Sequence, residues 1–134
     1  MLFLVVQFGW QGRNIVKILV SIAAAVILSN AACVAAGAAE ILTKPEIEAE
    51  IVGHEFRGRS GDGNILWIDV SDSGTFYGSY RNVKISGKYR ITEDGQWCRR
   101  IGSAPEQCLN VHRREGGYDF RFQDGSLSSS MERQ

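Results

Sequence analysis

Hydrophobic and polar positions divide the chain into three regimes. Residues 18–39 hold no charged side chain and are rich in Ala, Ile, Val and Leu. Residues 42–53 follow a helical spacing, and from residue 54 onward the period falls to two. The helical stretch opens with Leu42-Thr43-Lys44-Pro45-Glu46-Ile47. Thr43 is the expected N-cap, Glu46 completes a capping box, Leu42 staples onto Ile47, and Pro45 is tolerated in the first turn because its missing N–H loses nothing there. Ile47 and Ile51 share one face, Glu46, Glu48 and Glu50 take the rest, and Gly53 is the expected stop. So short a helix does not stand alone, so its apolar stripe is expected to cover the edge or open end of a sheet.

The period-two region predicts strands over residues 65–70, 75–80, 84–91, 97–101, 108–113 and 118–122. Residues 65–70 carry apolar side chains on both faces and read as a strand in the middle of the fold. Phe76 and Tyr80 fall on one face of the next strand, Tyr77 on the other. In the third, Ile85, Gly87, Tyr89 and Ile91 alternate with Lys84, Ser86, Lys88 and Arg90, a pattern with one wet face. Turns are marked by Asp72-Ser73-Gly74, Arg81-Asn82, Glu93-Asp94-Gly95, Gly116-Gly117 and Asp124-Gly125. Phe56 leads into residues 57–64, which read as a Gly-rich connection, and residues 126–134 read as a frayed polar tail. The resulting fold class is mainly β: a small antiparallel meander or half-open barrel of six to seven strands with one short N-terminal helix.

The apolar run changes the domain count. Arg13 and Lys17 precede it, and the small residues Ala35-Ala36-Gly37-Ala38-Ala39 end it, the layout of a secretory signal peptide. Residues 1–39 are therefore assigned to a signal peptide, with translation expected to start at Val16, and residues 40–134 to a single β-rich domain with a polar C-terminal tail. The alternative is an uncleaved inner-membrane anchor over residues 18–39. Asn30 stands where a lipoprotein signal places a branched apolar residue, three before Cys33, which argues against lipidation. The expected location is periplasmic or secreted.

Charge narrows the partners. The chain carries 15 basic and 15 acidic residues; setting aside Arg13 and Lys17 leaves a net charge of −2, which gives no reason to expect nucleic acid. The pairs Arg99-Arg100 and Arg113-Arg114 are interleaved with acids and read as solvated strand ends. Cys98 and Cys108 form an even pair, and in an oxidising compartment a disulfide is the default. Closing a loop of about ten residues removes roughly 2.7 kcal/mol of unfolded-state entropy.

A Leu-Thr-x-x-Glu-Ile helix ending in Gly (residues 42–53), the Asp-x-Gly-Thr turn from Asp72 to Thr75, the strand from Gly87 to Ile91, Asp94 to Cys98 with its Asp-Gly-x-Trp-Cys, then Cys108 and Tyr118, together resemble the small exported proteobacterial proteins of domain of unknown function 995 and their relatives. The resemblance runs over nearly all of residues 40–134, and Tyr89 stands where that pattern often carries Trp. It implies an exported β-rich domain and no particular chemistry.

Catalytic readings find little in the residues themselves. Cys98 beside two arginines, with His112 as a base, has the electrostatics of an activated thiolate, but a disulfide consumes the nucleophile. His54, His112, Cys98 and Cys108 supply zinc-ligand types without a close ligand pair. The glycines from Gly58 to Gly63 lack the Gly-Lys-Ser/Thr ending of a phosphate loop, and paired carboxylates such as Glu93-Asp94 sit in turns. No Gly-x-Ser-x-Gly elbow or cofactor signature occurs. No catalytic, metal or cofactor-binding residue is expected, and a small hydrolase or thiol enzyme is the least favoured class.

What remains is aromatic and basic surface. Trp67, Tyr77, Tyr80, Lys84, Lys88 and Arg90 are the candidate ligand or partner residues. The leading expectation is a non-enzymatic exported domain that binds an envelope component or a protein. The alternative is a lipocalin-like carrier of a small apolar ligand, in which the barrel mouth is hollow rather than filled by its aromatic rings.

Overall fold

The computed structural model describes residues 39–134. The signal segment expected at residues 1–39, its start at Val16, and the alternative anchor at 18–39 fall outside the described residues, apart from Ala39. The elements are β1 (Glu40–Ile41), α1 (Lys44–Glu50), β2 (Glu55–Ser60), β3 (Ile65–Val70), β4 (Thr75–Tyr80), β5 (Val83–Ile91), β6 (Gln96–Ile101), β7 (Gln107–Arg114), β8 (Gly117–Arg121) and β9 (Leu127–Arg133).

Strands β2 to β9 pair each with the next, all antiparallel, and β9 pairs back onto β2, so eight strands close into an up-and-down barrel. Closure removes every edge except where β1 adds to the upper half of β7, Ile41 opposite His112, beyond the point where β6 has ended.

Besides the two-residue β1, two strands lie where the sequence pattern predicts none. The sequence pattern reads residues 57–64 as a connection, yet β2 extends through Ser60, and within residues 126–134, which it reads as a frayed tail, Leu127–Arg133 form β9. Their pairing closes the barrel: Phe56 lies opposite Arg133 and Ser60 opposite Ser129. Glycine has a steric role here rather than a flexible one. A Cβ on Gly58 would lie 2.0 Å from the Ser130 carbonyl oxygen, so only glycine lets β2 approach β9 this closely.

Strand β3 is not buried on both faces. Leu66, Ile68 and Val70 point inward and are buried, while Ile65 is 68% exposed, as follows for the outer face of a barrel wall. The alternation expected in β4 and β5 holds, with Phe76, Ile85, Tyr89 and Ile91 inward and Tyr77, Lys84, Lys88 and Arg90 outward.

The helix forms where its capping signature places it. The Glu46 carboxylate accepts both the backbone N–H and the hydroxyl of Thr43, each at 2.8 Å, and Gly53 leaves the helix at φ 79°. Leu42, Ile47 and Ile51 are fully buried in one cluster with Val70, Leu109, Val111 and Met131. Those strand residues lie toward one end of the barrel, so α1 is its plug. Arg113, near the end of β7, clamps the plug from the side. It bonds Glu50, Glu46 and Glu40, and Tyr118 donates a hydrogen bond to Glu50 at 2.8 Å. The Glu50 carboxyl is held below its ordinary range, chiefly by the Arg113 hydrogen bond.

Above the plug, rings fill the middle of the barrel. Trp97 stacks on Tyr89 with ring centroids 4.2 Å apart and meets the edge of Phe120 at 6.3 Å, while Phe56 meets Tyr118 at 5.9 Å. The sulfurs of Cys98 and Cys108 lie at disulfide distance, 1.97 Å, on directly opposed positions of β6 and β7. They are on the outer side of the strand that carries Trp97 inward.

Candidate functional site

The end of the barrel opposite the helix is hollow. A cavity of about 420 Å³ opens there, within the usual range for small-ligand sites. Its wall is mainly apolar: Leu66 from β3, Tyr80 from β4, Ile85 from β5, Ile101 from β6, Phe122 after β8, and Leu127 from β9. Each is where strand alternation or a strand end carries a side chain inward, which is why so many strands contribute one residue each.

Two polar groups stand deeper than the rim. Arg99 lies on β6 between Trp97 and Ile101, and all three share the inward face. Its guanidinium donates through Nη2 to Ser128 Oγ at 3.1 Å. Its Nε is buried without a hydrogen-bond partner, and Arg99 enters no ion pair among the described residues. Burial lowers the pKa of this side chain. Ser128 faces inward because the β8–β9 ladder is irregular: Phe120 pairs with Ser129 but Arg121 with Leu127, so Ser128 is the extra residue of a bulge. A bulge of this kind re-aims one side chain, and here Ser128 and Ser129 are both buried in succession.

The rim is held by Asp62. Its carboxylate accepts from the Ser60 and Tyr80 hydroxyls and from the Asn64 backbone N–H at 3.2 Å, and Arg81 reaches it at 3.2 Å. The Ser60 and Tyr80 hydrogen bonds hold the Asp62 carboxyl far below the usual carboxylate range. Arg81 and Asn82 both adopt positive φ, 51° and 62°, in the two-residue turn between β4 and β5. The rim cation is thus paired, whereas the cation in the cavity is not.

The candidate residues named from the sequence are divided between two faces. Tyr80 lines the cavity. Trp67 and Tyr77 lie on the outer wall, edge to face at 5.5 Å, with the Tyr77 hydroxyl donating to Asp69 at 2.8 Å. Lys84 and Lys88 are exposed on the outer face of β5, and Arg90 is tied to Glu106 at 2.6 Å over the cysteine pair. The sequence reading missed Arg99 and Ser128. In the sequence Arg99-Arg100 reads as a solvated strand end; Arg100 is exposed, but Arg99 shares its parity with Trp97 and therefore turns inward. That parity was the available signal.

Among the described residues the thiol and zinc readings find no assembled site. Cys98, Cys108 and Glu106 place ligand-type atoms within 4.8 Å of one another, but the two sulfurs are at bonding distance and neither histidine joins the group. Sulfur in a disulfide is neither nucleophile nor metal ligand. Among the described residues no helix is long and apolar enough to cross a membrane. A scan against protein-family models and searches of the curated proteins and the solved structures return no match to this chain.

Proposed function

We propose that the protein is a non-enzymatic carrier or receptor for one small, mainly apolar molecule, held in the open end of the barrel. The observation that carries this reading is the division of the interior: α1 and the Trp97 layer fill one half, and the other half is an apolar cavity open at its mouth. An eight-stranded barrel whose interior served only stability would be filled by side chains along its full length. At roughly 30 Å³ per water-sized atom, the cavity admits about fourteen heavy atoms, the size of a medium-length hydrocarbon. The expected binding of an envelope component is thereby narrowed to a small amphiphile or lipid fragment. Export belongs to the same proposal, supported by the apolar run at residues 18–39 and by the paired cysteines.

The test is a titration with N-phenyl-1-naphthylamine, an uncharged probe that fluoresces in apolar surroundings. One site per chain is expected, and Ile85→Trp, which fills the cavity from the wall, should abolish it while leaving the melting temperature within a few degrees. Saturable binding that survives Ile85→Trp would place the probe elsewhere and refute the reading.

A further inference from the structure

The polar end of the ligand is written into the same cavity, and its identification rests on the carrier reading above. A guanidinium has five N–H donors in a planar fork. Among the described residues, Arg99 uses its side chain for one hydrogen bond, to Ser128. Its Nε is buried and unpartnered, and no carboxylate pairs with it. A half-buried cation whose Nε is buried and which has no counterion among the described residues is costly, and a stably folded barrel has no structural need of one at this position: Trp97 and Ile101, its neighbours on the same face, are apolar. Arg81, at the rim, already has Asp62. The unsatisfied positive charge therefore lies inside the cavity, beneath an apolar wall, with a hydroxyl beside it that a bulge in β9 turns inward.

We infer that the ligand is a single-tailed carboxylate, bound with its carboxylate inward on Arg99 and Ser128 and its hydrocarbon tail toward the mouth against Leu66, Ile85, Phe122 and Leu127. The carboxylate accepts from the guanidinium, which supplies the counterion that the chain itself withholds, and from the Ser128 hydroxyl. A tail-inward pose would leave Arg99 buried against hydrocarbon and the carboxylate beside the Asp62 charge, two unfavourable placements in place of one favourable pair.

The experiment is displacement of N-phenyl-1-naphthylamine by dodecanoate and by dodecanol at pH 7, in the wild-type chain and in Arg99→Met and Arg99→Lys. In the wild type dodecanoate should compete about 10- to 100-fold better than dodecanol, the worth of a hydrogen bond to a charged group. Arg99→Met should erase that preference, and Arg99→Lys should keep part of it. Equal competition by acid and alcohol in the wild type overturns the inference and leaves the carrier reading standing; absence of probe binding overturns both. If Arg99→Met fails to fold, the two ligands on the wild-type chain still decide the matter.

Discussion

Replacing Cys98 and Cys108 together by alanine should cost stability of a size fixed by the loop between them. The two are ten residues apart in the chain, and the chain-entropy relation gives about 2.7 kcal/mol at 25 °C for a loop of that length. The estimate applies with little native-state correction, because the two residues face each other in an unbroken antiparallel register that the flanking pairs, Trp97 with Leu109 and Arg99 with Gln107, hold without the bond. The stabilisation thus comes from restricting the unfolded chain. For a domain of under about 100 residues, each kcal/mol moves the melting temperature by roughly 4–8 °C, so a fall of about 10–20 °C is expected. Urea unfolding adds an independent sign: without the bond the unfolded state expands, so the denaturant slope should rise as the midpoint falls. Binding of N-phenyl-1-naphthylamine below the lowered melting temperature should be unchanged, since the bond lies outside the barrel wall. A variant that melts within about 2 °C of the wild type, with an unchanged slope, would refute the reasoning.

Three further outcomes follow from the geometry. Ile51→Ala removes a fully buried side chain of the plug and should cost about 2–5 kcal/mol in chemical denaturation, while probe affinity at the far end of the barrel holds within twofold. Stability should decline on acidification below about pH 4.5: Glu50 has a folded-state pKa below its ordinary 4.5, so its contribution is present above that value and is lost as pH falls through the folded pKa. Glu50→Gln should flatten that decline in a melting series from pH 7 to 3. Arg99→Met should hold or raise the melting temperature of the ligand-free protein, because it replaces a half-buried cation that has no counterion among the described residues by an apolar side chain; a fall of several degrees would mean that Arg99 serves the fold instead.

Much of this architecture is legible in the sequence where one signal is local. The capping pattern from Leu42 to Ile47 names the helix and its buried face, and the alternation around Tyr89 and Trp97 separates the inner wall from the outer. What escapes is what depends on closure. Residues 127–133 are too polar to read as a strand, since only Leu127 and Met131 are apolar, and they form one because β2 and β8 both lack a partner without them. Gly58 suggested a loop for the same reason, since its need for close approach exists only once β9 is in place. The bulge that turns Ser128 inward has no sequence mark at all. Arg99 had one, its shared parity with Trp97, but a basic pair at a strand end is normally solvated, and only the closed wall makes that face an interior.

The most direct measurement is an NMR titration of the isotopically labelled domain with dodecanoate, following backbone amides and the Arg99 side-chain Nε–H. Binding as described should shift amides around Ser60–Asp62, Tyr80, Ile85, Arg99, Ile101 and Ser128, and move the Arg99 Nε–H downfield as it gains a partner, while α1 and the outer Trp67–Tyr77 pair stay still. Shifts centred on Trp67, Tyr77, Lys84 and Lys88, with Arg99 unmoved, would contradict the interior site and return the ligand to the outer wall.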